Sequence, residues 1–168
     1  KINGYKFPLT MIEGIENTKA FDIHANCTWI MGYPGEDLEN LKTTVAFIKW
    51  QEEYYTKGLT PGTLEYEIAE QSVNKRLFVA SAYPGTEMFK HPLVQEQLSK
   101  TFGLNFNKKT NEAIPNEKFK HYVESLDDAT KVLVGEGGTL YYGEMDIDKF
   151  KEAREYVDSE QLYKILDM

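Results

Sequence analysis

Cysteine is nearly missing from this sequence. Cys27 stands alone among 168 residues, so no disulfide can form within the chain and no multi-cysteine metal or cluster site can be built from it. Histidine is scarce as well: His24, His91 and His121 show neither H-x-x-x-H nor H-E-x-x-H spacing, and no metal site is expected. The longest apolar run, residues 28–33, falls far below the roughly 20 residues of a membrane span. The segment beginning at Lys1 has no signal-peptide pattern, so a cytoplasmic location is expected. A first residue other than Met fits a processed or partial chain. Basic charge is outweighed, with 19 Lys and Arg against 27 Asp and Glu and a formal charge of -8. Binding to a phosphate backbone needs clustered cations that release counterions, so nucleic acid is not an expected partner, and neither is a membrane.

What is there suffices for a packed core. Apolar residues make up 41% of the chain and aromatic residues 13%, as in an ordinary globular domain, and a chain of this length buries roughly 70% of its unfolded surface. The clearest periodicity lies in residues 37–54, where Leu38, Leu41, Val45 and Ile48 recur at helical spacing. Acidic residues at its start and Lys49 toward its end complement the helix dipole. On either side lies a short run rich in β-branched and aromatic residues. Residues 23–32 end at Gly32-Tyr33-Pro34-Gly35, and residues 76–82 end at Tyr83-Pro84-Gly85. Each reads as a buried strand entering a tight loop. Strands joined by a helical crossover are parallel, so an α/β organisation is expected.

Further helices are expected over residues 9–21, 91–101, 117–126 and 146–157. Pro92 suits the first position of the second of these and Gly103 a left-handed cap at its end. Ser159 can cap a last helix that buries Leu162, Ile165 and Leu166. Residues 63–70 read equally as helix or extended chain, residues 103–115 are the least structured stretch, and residues 135–138 make a turn.

Residues 28–36, TWIMGYPGE, followed by DLENLKTTVAFIK, resemble the fifth-strand region of radical S-adenosylmethionine (radical SAM) enzymes, where an apolar strand runs into Gly-aromatic-Pro-Gly-Glu. A second block, LFVASAYPGTEMF at residues 77–89, resembles the family's next strand and its Tyr-Pro-Gly-Thr loop, in the right order and spacing. The two blocks cover about a quarter of the chain. The resemblance implies parallel strands with crossover helices forming part of an incomplete TIM-like barrel in residues 1–102, and a mainly helical C-terminal extension in residues 103–168. It further implies that Ile30 and the loop of Gly32, Tyr33, Pro34, Gly35 and Glu36 flank the adenosine part of S-adenosylmethionine. Tyr83, Pro84, Gly85 and Thr86 would lie beside it, and Glu36 would cap the following helix or brace its loop. There is physical sense in such loops, because glycine lets backbone approach a ligand and proline holds it in place beforehand.

The family's 4Fe–4S cluster is held by a C-x-x-x-C-x-x-C motif that this sequence lacks, and one thiolate cannot replace it. The family's Gly-Gly-Glu segment and ribose-contacting strand are missing too. The resemblance therefore implies a C-terminal fragment that binds no cofactor alone and contributes no catalytic residue and no metal ligand. It would supply the adenine-side wall and part of the substrate cavity to an iron–sulfur parent enzyme. In that parent a reduced cluster cleaves S-adenosylmethionine to a radical that takes hydrogen from a small-molecule substrate. The first partner would be the missing N-terminal half. Members with this loop style often carry an upstream cobalamin-binding domain, so the resemblance admits cobalamin in the parent. An alternative of another class is a stand-alone, non-catalytic binding module that forms a homodimer through exposed strand edges. A third is an unrelated small α/β enzyme.

Other features read as structural. Glu52-Glu53 and Asp127-Asp128 mark solvated faces. Val134 to Gly138, VGEGG, lacks the lysine of a phosphate loop and suits a turn. Tyr122, Tyr141 and Tyr142 suit core packing, and Cys27 an inert buried thiol.

Overall fold

The computed structural model describes residues 4–127 and 131–168. Lys1 and Asp128, both named above, lie outside the described residues. In chain order the elements are α1 (Leu9–Ala20), β1 (Trp29–Met31), α2 (Leu38–Thr56), α3 (Leu64–Gln71), β2 (Leu77–Val79), α4 (Glu87–Lys90), α5 (Pro92–Phe102), α6 (Glu117–Glu124), β3 (Val134–Gly135), β4 (Gly138–Thr139) and α7 (Ile147–Asp158). Short 3-10 turns occupy Ser125–Asp127 and Leu162–Asp167.

The helices begin and end where local chemistry satisfies their free backbone groups. Pro92 opens α5, and Gly103, in the left-handed region at φ 67°, closes it by donating to the Ser99 carbonyl at 3.0 Å. The Thr63 hydroxyl accepts from the Tyr66 N–H at 3.3 Å, which settles the ambiguous residues 63–70 as helix. Asn116 does the same for α6, accepting from the Phe119 N–H at 2.9 Å. Ser159 caps nothing downstream. Its hydroxyl donates back to the Glu155 carbonyl at 2.7 Å, and Gln161 precedes the last 3-10 turn, in which Leu162 and Ile165 are buried.

The expected part-barrel of parallel strands is overturned. Among the described residues there are two sheets of two strands each, β1 with β2 and β3 with β4, and helix dominates the rest. A barrel wall needs strands long enough to pair with a neighbour on each side. Here only three residues of each apolar run are strand. Side chains take over the backbone groups of the preceding segment. The Ala25 N–H donates to the Tyr55 hydroxyl at 2.8 Å, the Ala25 carbonyl accepts from Gln51 Nε2 at 2.8 Å, and the Cys27 carbonyl accepts from Asn74 Nδ2 at 3.1 Å. With those groups satisfied, the stretch before Trp29 stays extended without a partner strand.

The chain divides into two compact units, one of Lys1–Trp29, Leu38–Arg76 and Asp148–Met168, the other of Ile30–Asp37 and Leu77–Ile147. In the first, α2 is the central element. Its Leu41, Val45, Ile48 and Tyr55 are buried, and it packs against α3 and the terminal 3-10 turn. Glu52 on α2 accepts from Lys75 Nζ at 2.7 Å and from the Tyr163 hydroxyl.

In the second unit, Val94, Leu98 and Phe102 of α5 meet Phe89, Tyr122, Leu126, Leu133 and Leu140 in one apolar cluster. The VGEGG segment forms the β3–β4 hairpin, whose tip lies on the end of α5: the Gly137 N–H donates to the Thr101 carbonyl at 3.0 Å. A Cβ on Gly135 would lie 2.2 Å from that carbonyl oxygen, and one on Gly137 would lie 1.8 Å from the Lys100 carbonyl oxygen, so glycine is a packing requirement at both. No helix among the described residues is long and apolar enough to cross a membrane.

Candidate functional site

The two Pro-Gly loops belong to the second unit and leave the β1–β2 sheet together. The carbonyl of Met31, the last residue of β1, accepts from the N–H of Ala80, the first residue after β2, at 2.9 Å. Both chains therefore depart from one place, and both then make the same turn. The Glu36 N–H donates to the Tyr33 carbonyl at 3.0 Å, and the Thr86 N–H to the Tyr83 carbonyl at 3.2 Å. In each, proline holds the second position and a glycine with positive φ the third, Gly35 at 82° and Gly85 at 88°, the requirement of a type II turn. A Cβ at either glycine would meet nothing within 4 Å. Backbone conformation, not crowding, demands glycine there, and the space above both turns is open.

Side chains then separate the two loops. Glu36 turns inward, and its Oε2 accepts from the Gly32 N–H at 2.5 Å. Burial pushes its carboxyl up to about 7; the Gly32 N–H opposes this and the neighbouring Asp37 adds to it. The Gly32 N–H is thus engaged within its own loop. Thr86 is engaged too: its hydroxyl donates to the Tyr83 carbonyl at 2.7 Å and accepts from the Phe89 N–H at 3.2 Å, starting α4, a helix the sequence pattern did not announce. The groups that face outward are the side chains of Ile30, 52% exposed, Tyr33, 52% exposed, and Tyr83, 45% exposed, with the tips at Gly35 and Gly85. The Tyr83 ring is held in place because its hydroxyl donates to the Leu126 carbonyl at 3.1 Å.

Two further groups support the loops from within the same unit. The Tyr122 hydroxyl donates to the Ala82 carbonyl at 2.6 Å, just before the second turn. Burial, with the Tyr142 hydroxyl beside it, holds Tyr122 far above the usual phenol range, so it stays a donor. Residues 141–145 cross the first loop. The Glu144 N–H donates to the Glu36 carbonyl at 2.7 Å, and the Tyr141 hydroxyl accepts from the Met145 N–H at 3.0 Å. Burial pushes Tyr141 up to about 12, against the Met145 N–H and helped by the Glu36 carboxyl. Gly143 lies at the crossing: a Cβ there would be 2.2 Å from the Tyr141 hydroxyl oxygen and 2.8 Å from the Glu36 carbonyl oxygen.

These residues suit one part of the ligand that the resemblance implies and not another. An exposed aliphatic side chain, two half-exposed tyrosines and open glycine backbone can hold a flat, largely apolar nucleobase. An iron–sulfur cluster does not fit. Among the described residues no three His, Cys, Asp or Glu side chains stand close enough to hold a metal ion. Cys27 belongs to the other unit, is half-buried, and has its thiol pushed up by burial.

Comparison of the chain with known protein families, curated proteins and solved structures returned no match.

Of the residues picked out by sequence, β1, β2 and the two turns bring Ile30, Gly32, Tyr33, Pro34, Gly35 and Glu36 together with Tyr83, Pro84, Gly85 and Thr86 in one unit. Tyr122, Tyr141 and Tyr142 are buried, as core packing requires. Gly143 and the crossing segment went unnoticed. Gly143 is flanked by Tyr142 and Glu144 with no proline or second glycine, so nothing in the local pattern sets it apart from a turn glycine.

Proposed function

We propose that this chain is the C-terminal part of a radical SAM enzyme and supplies the adenine-side wall of the S-adenosylmethionine site, with part of the substrate cavity. The observation that carries this reading is the duplicated Tyr-Pro-Gly turn leaving two adjacent strands, with exposed Ile30 on the strand that leads into the first. Ile30 and the tyrosine rings would cover a face of the adenine, and the glycine tips would admit its edge close to backbone. The cofactor would supply the chemistry, and these residues would bind and orient its adenosine. The cluster-binding cysteines would belong to sequence outside these residues, so the chain by itself would not turn over.

The reading makes a genetic demand and a binding demand. The coding sequence upstream of Lys1 should contain C-x-x-x-C-x-x-C in frame. In the protein that carries it, purified anaerobically, Ile30→Asp should weaken S-adenosylmethionine binding by roughly tenfold or more. Ile30 is half exposed, so the variant should fold. An upstream sequence without the motif would leave a non-catalytic binding module as the better description. Unchanged affinity in Ile30→Asp would remove the adenine wall from this strand.

A further inference from the structure

The Gly32–Glu36 loop is closed twice, once by its own Glu36 carboxyl and once by a segment distant in sequence. Glu36 offers its carbonyl to the Glu144 N–H at 2.7 Å while its carboxyl holds the Gly32 N–H at 2.5 Å, so one residue joins the crossing segment to the start of the loop. The crossing segment is itself tied down, because the Met145 N–H donates to the Tyr141 hydroxyl at 3.0 Å. Tyr141 and Met145 are both buried. Between them Gly143 leaves no room for a methyl group on the side of the Glu36 carbonyl, which is backbone and cannot swing aside.

We infer that segment 141–145 is a latch that holds the Gly32–Glu36 loop in its ligand-ready form, and that Gly143 is the positioning residue that lets the latch seat. That the ligand is an adenosine rests on the function proposed above; the latch itself rests on geometry alone. With the latch seated, the turn at Tyr33–Glu36 is ordered before a ligand arrives, and binding does not have to bear the cost of ordering it. With the latch lifted, the Glu36 carbonyl loses its partner and the carboxyl brace loses its anchor.

Amide hydrogen exchange read residue by residue, together with adenosine titration of the same variants, both in the longer protein that carries the cluster motif, tests this. Gly143→Ala should speed exchange at the Gly32 and Glu144 amides by roughly tenfold or more and weaken adenosine binding by a comparable factor. Gly135→Ala is the control: its Cβ would collide with the Thr101 carbonyl in the same unit, so it should lower stability while leaving exchange at Gly32 unchanged. Tyr141→Phe removes the acceptor for the Met145 N–H without adding bulk; it should give the same local signature, and it takes the place of Gly143→Ala if that variant does not fold. Equal exchange at Gly32 in wild type, Gly143→Ala and Tyr141→Phe would overturn the latch, as would an equal effect of Gly135→Ala. Faster exchange with no adenosine binding by any sample, wild type included, would uphold the latch and overturn the adenosine reading.

Discussion

Glu36 is a half-buried carboxyl: the Gly32 N–H steadies its charge, while burial and the neighbouring Asp37 oppose it. Its folded value of about 7 lies above the ordinary 4.5, so the stability linked to its proton is present in full below about 4.5 and is lost as pH rises through about 7. Between pH 5 and pH 8 wild type should lose roughly 2–3 kcal/mol on this account. Glu36→Gln keeps an oxygen for the Gly32 N–H but cannot ionise, so it should show a smaller loss over that interval. Urea unfolding of both proteins at the two pH values measures the difference. Equal losses would mean that the carboxyl ionises freely in the folded chain.

Helix α2 shows how one element organises its unit. Its apolar stripe was plain in the sequence, but the residues that decide its neighbours are polar. Gln51 and Tyr55 reach the Ala25 backbone and hold the segment before β1 in place of a neighbouring strand. Glu52, from the same helix, receives Lys75 and the Tyr163 hydroxyl. Burial and the Glu52 carboxylate hold Tyr163 well above the usual phenol range, so it remains a donor at any ordinary pH. Tyr163→Phe should therefore lower stability by about 1–2 kcal/mol, leaving a mostly buried carboxylate with Lys75 as its remaining donor of these two. Tyr156→Phe, which removes an exposed hydroxyl bonded to Glu152, should leave the urea midpoint where it is. The idea fails if the two variants are equally stable.

For the molecule as a whole, the balance of charge is the property least dependent on fold. With a formal charge of -8, the chain should repel polyanions at long range. Fluorescence anisotropy of a labelled DNA duplex should stay flat up to about 10 μM protein in about 50 mM salt. A rise that weakens with added salt would reveal a basic surface that the overall charge conceals. Division into two compact units is also a property of the whole, and sequence distance does not foretell it: residues 148–168 join the unit of α2, while residues 30–37 leave it.

Helix positions were legible because spacing, caps and prolines act within a few residues. The stripe of α2, Pro92 and Gly103 at the ends of α5, and the two Pro-Gly turns all follow from local sterics and hydrogen bonding. The sequence by itself also determined that no cluster of cysteines could form here, since composition does not depend on folding. Strand length was decided by tertiary structure. The apolar runs of residues 23–32 and 76–82 could have paired along most of their length, and Gln51, Tyr55 and Asn74 instead satisfied the earlier backbone groups. Tertiary structure likewise raised the Glu36 carboxyl by burial and set Gly143 against the Glu36 carbonyl, about a hundred residues away in sequence, a contact that no local pattern announces.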